Sequence, residues 1–225
     1  MKLLQFVVLS LFAIQPLFAG TISGSIRAQG KDAAEADAGG GNYSSKRLKF
    51  AERINYDEIH PFIVYIQGKV PRAIIATPRE AIHQKDAMFV PHVLPVMVGT
   101  AVEFPNDDPI FHNVYSKTDG SEFDLGLYKK GERAHAYTFE KPGEVDVFCS
   151  IHARMNCIVL VLENPYFAVS DSHGHYSITN VPPGKYTLVA WQERLPKDTK
   201  TIEVPPSGDV PNVNFVLGPK NLPRY

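Results

Sequence analysis

The stretch "DVFCSIHARMNCIVLVL", residues 146–162, decides how the chain is interpreted. It places Cys149, His152 and Met155 at equal steps of three residues, directly before an apolar run that is typical of a buried β-strand. A thiol, an imidazole and a thioether on one short loop have two interpretations. They are either unrelated residues of a packed loop or donors that meet at one ion.

The rest of the chain predicts an all-β fold. Its 225 residues include 18 prolines and 16 glycines, which separate short runs rich in Val, Ile, Tyr and Phe. Strands of this length between turn residues are typical of β-sandwiches and barrels. The predicted strands include "TISGSIRA", "PFIVYIQG", "AMFVPHVLPVMV", "AVEFPN", "AYTFE", "EVDVFC", "CIVLVLE", "HYSIT", "KYTLVAWQ", "TIEV" and "VNFVLG".

One long segment breaks this pattern. Residues 32–59 are rich in Ala and Gly at first and charged afterwards, with no alternation of apolar and polar positions. We interpret roughly residues 30–58 as an insertion loop with one helical turn over residues 46–53.

The first residues predict export. "MKLLQFVVLSLFAIQPLFAG" has one basic residue, then an apolar run, then small residues, which is the pattern of a signal peptide over residues 1–19. A membrane anchor is the alternative, but Gln15 and Pro16 interrupt the run, and a spanning helix needs about 20 apolar residues. We therefore expect a periplasmic or secreted protein with no membrane span after cleavage. A net charge of −1 without a basic run predicts no nucleic-acid partner.

A fourth donor lies upstream. In "VEFPNDDPIFHNVYS", residues 102–116, His112 is predicted to lie in a turn after a strand. One thiolate and two imidazoles form a trigonal donor set, and a thioether is a weak axial donor. This mixture accepts both Cu(I) and Cu(II), whereas a structural zinc site has four strong ligands. We predict that His112, Cys149, His152 and Met155 bind one copper ion per chain.

Two other interpretations concern the cysteines. Cys149 and His152 could form a nucleophile and its base, but no acid or amide partner and no oxyanion turn is evident. Cys149 could instead form a disulfide with Cys157, since an exported protein meets oxidising conditions. We favour a free, buried Cys157. The remaining polar candidates are predicted to be solvated surface or turn residues: His83, His92, His173, His175, Asp107 and Asp108. For Asp107 and Asp108, which lie in a turn close to His112, the alternative is that they face a partner or tune the electric field near the copper ion.

Residues 88–162 resemble a cupredoxin, with amicyanin and the plastocyanin-like proteins most similar. The likeness lies in "LPVMVGTAVEFPN", "FHNV", "FDLGLYKKGE" and "FEKPGEVDVFCSIHARM", and the gap between His152 and Met155 matches the short loop of amicyanin. The resemblance implies a Greek-key β-sandwich. It also implies that the N–H of Asn113 donates to the Cys149 sulfur and that the Asn113 side chain ties the ligand loops together. The peptide N–H of Ser150 is a second expected donor to that sulfur. Cys157 departs from the family, which has a small residue there.

A second likeness surrounds the first. "VSDSHGHYSITNVPPGKYTLVAWQE", residues 169–193, resembles the carboxypeptidase regulatory-like, transthyretin-type sandwich, whose first strands resemble "GTISGSIR" and "FIVYIQG". The resemblance implies a discontinuous sandwich over residues 20–79 and 164–225, with a cupredoxin domain inserted over residues 80–163. The whole chain is similar to periplasmic methylamine-utilisation or plastocyanin-like proteins.

These resemblances imply a function. We expect an exported type 1 (blue) copper protein that carries single electrons between redox protein partners and is not an enzyme. The exposed edge of His152 is the expected exit for the electron. Copper storage or delivery is the alternative, although delivery sites are usually exposed, rich in Met and His, and free of Cys. No sequence feature marks the second copper site of a nitrite reductase.

Overall fold

The computed structural model describes residues 19–30, 55–70, 79–132, 135–206 and 208–218. These residues are nearly all β, which confirms the predicted fold class. Residues 1–18 of the predicted signal peptide and most of the insertion loop, including its predicted helical turn over residues 46–53, lie outside the described residues. The described part of that loop includes one short 3-10 helix, Tyr56–Glu58. None of the helices in the described ranges is long and apolar enough to cross a membrane.

Seventeen strands follow one another along the described chain. They are β1 (Gly20–Ala28), β2 (Ile63–Ile66), β3 (Glu80–Ala81), β4 (His83–Lys85), β5 (Met88–Val90), β6 (Val93–Met97), β7 (Thr100–Phe104), β8 (His112–Ser116), β9 (Phe123–Tyr128), β10 (His135–Phe139), β11 (Gly143–Phe148), β12 (Asn156–Leu162), β13 (Phe167–Val169), β14 (His175–Val181), β15 (Gly184–Gln192), β16 (Leu195–Val204) and β17 (Phe215–Leu217).

Strands from both ends of the chain form one unit, which we call the terminal unit. It contains a four-stranded sheet in the order β13-β2-β15-β16 and a three-stranded sheet in the order β14-β1-β17. β1 is antiparallel to β14 and parallel to β17, so the first described strand lies between two of the last. One hydrophobic core joins the two sheets with side chains from Ile22 to Val70 and from Tyr166 to Leu217.

The intervening strands form the central unit. Its sheets have the orders β6-β12-β11-β8-β9 and β10-β7-β3, and β4 and β5 form a separate hairpin. Its hydrophobic core contains side chains from Ile82 to Val161, including both cysteines. The assignment of residues 80–163 to an inserted domain, and the likeness of the terminal unit to a transthyretin-type sandwich, stay predictions.

β12 is buried on both faces, which explains its unbroken apolar sequence. Cys157, Val159 and Val161 point into the core of the central unit. Leu160 and Leu162 point the other way, into a third cluster that contains Val93 of the central unit and Ile63 and Trp191 of the terminal unit. Because successive side chains of a strand alternate in direction, one strand serves two cores. Trp191 therefore lies between the two units.

We expect Leu160→Ala to lower the free energy of unfolding by about 2–5 kcal/mol, because it removes a buried side chain between two close-packed sheets. The fluorescence of Trp191, which is the one tryptophan of the chain, should shift to longer wavelength in the folded protein. Urea unfolding followed by fluorescence measures both effects. Leu127→Ala is the matched control, since Leu127 is exposed on β9. A cost for Leu160→Ala no larger than that of the control would contradict the packing described here.

Candidate metal centre

The loop between β11 and β12 is closed by its own backbone. The N–H of Cys149 donates to the carbonyl of Met155 at 3.0 Å, and the N–H of Met155 donates to the carbonyl of His152 at 2.9 Å. The pairing of Phe148 with Asn156 brings the two ends of the loop side by side. Cys149 and Met155 thus face the core together, with 6% and 1% of their surface exposed.

His112 is the first residue of β8 rather than part of a turn, which corrects the sequence-based expectation. It pairs with Tyr128 of β9, and β8 lies beside β11 in the same sheet. These pairings direct a polar side chain into the core, where it is 0% exposed. The sequence suggested a turn because Asn106, Asp107 and Pro109 precede His112. Both ring nitrogens of His112 have polar partners, which offsets the cost of burial.

Three donor atoms meet at this end of the central unit. The Nδ1 atoms of His112 and His152 lie 3.0 Å apart, and the Cys149 sulfur lies 3.7 Å from Nδ1 of His152. All three donor atoms lie within 4.8 Å of one another. Met155, the fourth predicted residue, packs in the same hydrophobic cluster as Cys149. His152 is partly exposed, while the other three residues are buried.

The donor set fits a metal ion. Nε2 of His112 lies 2.8 Å from the carboxylate of Asp108. An ionised carboxylate only accepts hydrogen bonds, so Nε2 carries the proton and Nδ1 presents a lone pair to His152. Two imidazole nitrogens and a sulfur that converge in this way need a shared proton or a cation between them. A thiolate with two imidazoles is a donor set for a transition metal ion.

The prediction that Asp108 is a solvated turn residue is wrong. Asp108 is 8% exposed and accepts hydrogen bonds from the N–H groups of Asp86 and Ala87, each at 2.9 Å. Burial raises the pKa of Asp108, but the Ala87 N–H, the His112 ring and the Asp86 N–H together hold the pKa below its ordinary value. The available signal was an acidic residue four positions before a predicted histidine ligand.

Asn113 connects the two segments that carry the candidate donors, as the resemblance implied. Its backbone N–H points to the Cys149 sulfur at 3.5 Å, and its side-chain oxygen accepts from the N–H of Ser150 at 3.3 Å. Ser150 therefore donates to Asn113 and not to the sulfur, which corrects one expectation. The Asn113 amide donates to Asp124 at 2.7 Å and to the Gly126 carbonyl at 3.1 Å.

Both cysteines are free thiols, so the alternative disulfide is not formed. Cys157 pairs with Val147 and is buried in the core of the central unit. Burial, and to a smaller extent the charge of Asp146, raises the pKa of the Cys157 thiol far above its ordinary value. Cys157 is thus held as an unreactive thiol.

The other polar candidates lie at the surface, as the sequence predicted. Of the four histidines among these candidates, three nevertheless have carboxylate partners: His83 with Asp107, His92 with Glu193, and His175 with Asp171. The His92–Glu193 pair joins the two units at 2.7 Å.

Comparison with known sequences gives two partial matches. The family described as Polysaccharide lyase family 4, domain II, matches residues 162–212, which belong almost entirely to the terminal unit. A protein of Arthrobacter sp. (strain FB24), described as a hydro-lyase, is 32% identical over 114 residues. That match covers 50% of this chain and 42% of the relative, so the chain spans less than half of the relative's length.

Comparison with solved structures gives cupredoxins and a related copper enzyme. A purple cupredoxin from Nitrosopumilus maritimus is 24% identical, with a TM-score of 0.33 over 36% of this chain and 98% of the other. A reduced Cu(I) form of an amicyanin variant is 26% identical, with a TM-score of 0.35 over 44% and 97%. The Cu-containing nitrite reductase of Thermus scotoductus SA-01 is 30% identical, with a TM-score of 0.36 over 43% and 25%. Each of these TM-scores is below 0.5.

The support that Asp124 gives to Asn113 should depend on pH. The Gly126 N–H and the Asn113 amide hold the pKa of Asp124 below its ordinary value and outweigh the effect of burial. A carboxyl whose pKa is lower in the folded state stabilises the protein above the unfolded-state pKa of about 4, and this contribution is lost as pH falls through the folded-state pKa.

We therefore expect Asp124→Asn to lower the free energy of unfolding of the reduced, metal-free protein at pH 7, because it removes a charged hydrogen-bond acceptor. The expected loss is only about 1 kcal/mol, because the carboxylate is exposed to solvent. The loss should shrink below about pH 4. Urea unfolding at several pH values measures it, with the exposed Asp119→Asn as the control. A loss that does not change with pH would show that the charge of Asp124 contributes nothing.

Proposed function

We propose that this chain is a copper protein that carries single electrons, with His112, Cys149, His152 and Met155 as the ligands. The observation that carries the proposal is the convergence of two imidazole Nδ1 atoms and one cysteine sulfur within 4.8 Å. Met155 is buried in the same cluster and supplies a thioether, which a structural zinc site does not use. The mixture of one thiolate, two imidazoles and a thioether matches the donor preference of copper.

A copper ion bound to this set supplies a one-electron Cu(II)/Cu(I) couple. The chain's own contribution is to hold the donors in one arrangement. Cys149 and Met155 are tied by the backbone hydrogen bonds of their loop, and Asn113 links that loop to β8. His112 is fixed between strands β9 and β11. Donors that keep the same positions in both oxidation states lower the reorganisation energy of electron transfer. A low reorganisation energy suits an electron carrier.

The surface around His152 suits contact with a partner. His152 is partly exposed, and the apolar side chains of Ile110, Phe111 and Ile151 are exposed close to the ligands in the sequence. Apolar surface of this kind is a common feature of protein contact sites. We propose the outer edge of His152 as the exit for the electron and redox proteins as the partners.

The remaining parts of the proposal come from the sequence. Residues 1–19 direct the chain to the periplasm or out of the cell, each chain holds one copper ion, and the chain is a carrier rather than an enzyme. Copper storage or delivery is the second candidate. The burial of three of the four ligands favours electron transfer, because an ion held in the core is poorly placed for handover.

Copper loading tests the site directly. Cu(II) added to the reduced protein should produce an intense visible absorption and a narrow parallel copper hyperfine splitting, because a thiolate ligand delocalises the unpaired spin. Cys149→Ser should abolish both signals, and Met155→Leu should keep them while raising the reduction potential. Cys157→Ala is the matched control and should keep the spectrum. Visible and EPR spectroscopy of the four proteins provide the measurement.

A colourless Cu(II) complex of the wild-type protein with ordinary hyperfine splitting would reject the electron carrier, even if copper still binds to the histidines. Loss of colour in Cys157→Ala with retention in Cys149→Ser would instead show that Cys157, and not Cys149, is the thiolate ligand. Rapid release of Cu(I) to a weak chelator from a colourless protein would favour storage or delivery.

The exit at His152 has its own test. Ile151→Lys should slow electron self-exchange between copper-loaded molecules about tenfold, since like charges then meet at the contact surface. The visible spectrum should not change. NMR line broadening in mixtures of the Cu(I) and Cu(II) forms measures the rate. Val216→Lys is the control, because Val216 is an exposed valine of β17 in the terminal unit. Equal slowing by both variants would contradict an exit at His152.

A further inference from the structure

The hairpin of β4 and β5 turns through an unusual backbone conformation. Its turn residues, Asp86 and Ala87, both have positive φ, at 55° and 56°. This left-handed region is unfavourable for L residues with a Cβ atom, and two-residue hairpin turns of this kind usually contain glycine. The chain has no glycine at either position. Some other contact must therefore hold the turn.

That contact is the carboxylate of Asp108, which accepts three hydrogen bonds. The N–H of Asp86 donates to Oδ1 of Asp108, and the N–H of Ala87 donates to Oδ2, each at 2.9 Å. Oδ2 also faces Nε2 of His112 at 2.8 Å. The backbone N–H of Asp108 in turn donates to Oδ1 of Asn106 at 2.9 Å, and this hydrogen bond fixes the backbone of Asp108. One buried carboxylate thus joins the hairpin turn to a predicted ligand.

We propose that Asp108 is a positioning residue of the metal centre and that the Asp86–Ala87 turn belongs to the centre because it holds Asp108. The carboxylate keeps the proton of His112 on Nε2, so that Nδ1 is available as a donor. The turn supplies two N–H groups that hold the carboxylate aimed at the ring. The inference rests on the proposed function only in taking His112 as a metal ligand.

The chemistry requires a hydrogen-bond acceptor at this position. Without an acceptor, Nε2 of His112 has no reason to carry the proton, and the proton can move to Nδ1. A proton on Nδ1 would point towards Nδ1 of His152, which is 3.0 Å away, and would occupy the lone pair that a metal ion would need. Carboxylates that accept from a ligand histidine in this way also make the imidazole a stronger donor.

The neighbouring residue provides a matched control. Asp107 is also acidic, but its side chain is partly exposed and faces His83 at 2.8 Å. Removal of Asp107 changes the net charge of the loop by the same amount as removal of Asp108. Only Asp108 touches His112. A difference between the two variants therefore reports the contact rather than the charge of the loop.

The test uses Zn(II) as the probe in the full chain, so that it does not depend on redox chemistry. We expect Asp108→Ala to weaken Zn(II) binding about 10–100-fold in competition with a chromophoric chelator. Nitrogen NMR of the metal-free protein should show His112 with its proton on Nε2 in the wild type and a mixture of tautomers in Asp108→Ala. Asp107→Ala should leave both readouts unchanged. Asp108→Asn, which keeps the shape and lacks the charge, should fall between the wild type and Asp108→Ala.

Loss of the turn could itself weaken binding, so a second variant separates the two effects. In Ala87→Gly, the turn tolerates positive φ without help from Asp108. Added to Asp108→Ala, it should raise the unfolding temperature without restoring affinity. If it restores affinity, Asp108 acts only through the fold, and the positioning role is wrong. If the alanine variants do not fold, the same affinity and tautomer in Asp108→Asn as in the wild type would overturn it.

The outcome for Asp108 is distinguishable from the outcome for the proposed function. A wild-type protein that binds Zn(II) tightly but gives a colourless Cu(II) form would reject the electron carrier. Weakened Zn(II) binding in Asp108→Ala would still support the inference in that case. Conversely, an intense Cu(II) colour in the wild type, with unchanged Zn(II) affinity and His112 tautomer in Asp108→Ala, would support the carrier and overturn the positioning role.

Discussion

The antiparallel pairing of β11 with β12 is the constraint on which the candidate metal centre depends. It sets Phe148 opposite Asn156, so the loop between them must turn back within seven residues. The two backbone hydrogen bonds of that loop fix Cys149 and Met155 on the inner side of the sheet. β12 is in turn held on both faces, by the core of the central unit and by the contact with the terminal unit. A shift of β12 by one residue would reverse every side chain, so these two packings also fix the position of the donors.

The centre shows how polar groups are tolerated in an apolar core. Buried imidazole, thiol and carboxylate groups are unfavourable unless each has a partner. Here His112 has Asp108 on one nitrogen and the converging donors on the other, while Cys149 has the N–H of Asn113. Asn113 uses both ends of its amide, with Ser150 on one side and Asp124 on the other. These contacts stabilise the polar groups and also orient the donors, so stability and site geometry have the same cause.

The sequence predicted the parts of this structure that depend on local pattern. The apolar run of β12 and the alternation in β11 and β14 identify strands because their side chains face a core. The spacing of Cys149, His152 and Met155 identifies a donor loop.

Other elements depend on contacts that the local sequence does not show. β4, with the sequence His-Gln-Lys, has no apolar residue. It is ordered because the Gln84 amide donates to the Phe104 carbonyl and to the Tyr128 hydroxyl, each at 2.8 Å. β9 contains Asp124 and Gly126, which interrupt the alternation of apolar and polar residues that is typical of a strand. Both residues accept hydrogen bonds from the Asn113 amide. Asp108 is similar, since its role depends on a turn 21 and 22 residues away. Contacts between distant segments leave no local pattern, so the sequence did not show the roles of these residues.

The two units are connected through the same strand that supports the donor loop. His92 contacts the carbonyl of Asn156, the first residue of β12, at 3.1 Å and also contacts Glu193 of the terminal unit at 2.7 Å. Leu160 and Leu162, further along β12, pack with Trp191. The terminal unit therefore covers the outer face of the strand whose inner face lines the core around Cys149. A β-strand with apolar side chains on both faces is unstable when one face meets water. The terminal unit thus contributes to the metal centre indirectly, because it keeps β12 in place against the loop that carries three of the four proposed ligands.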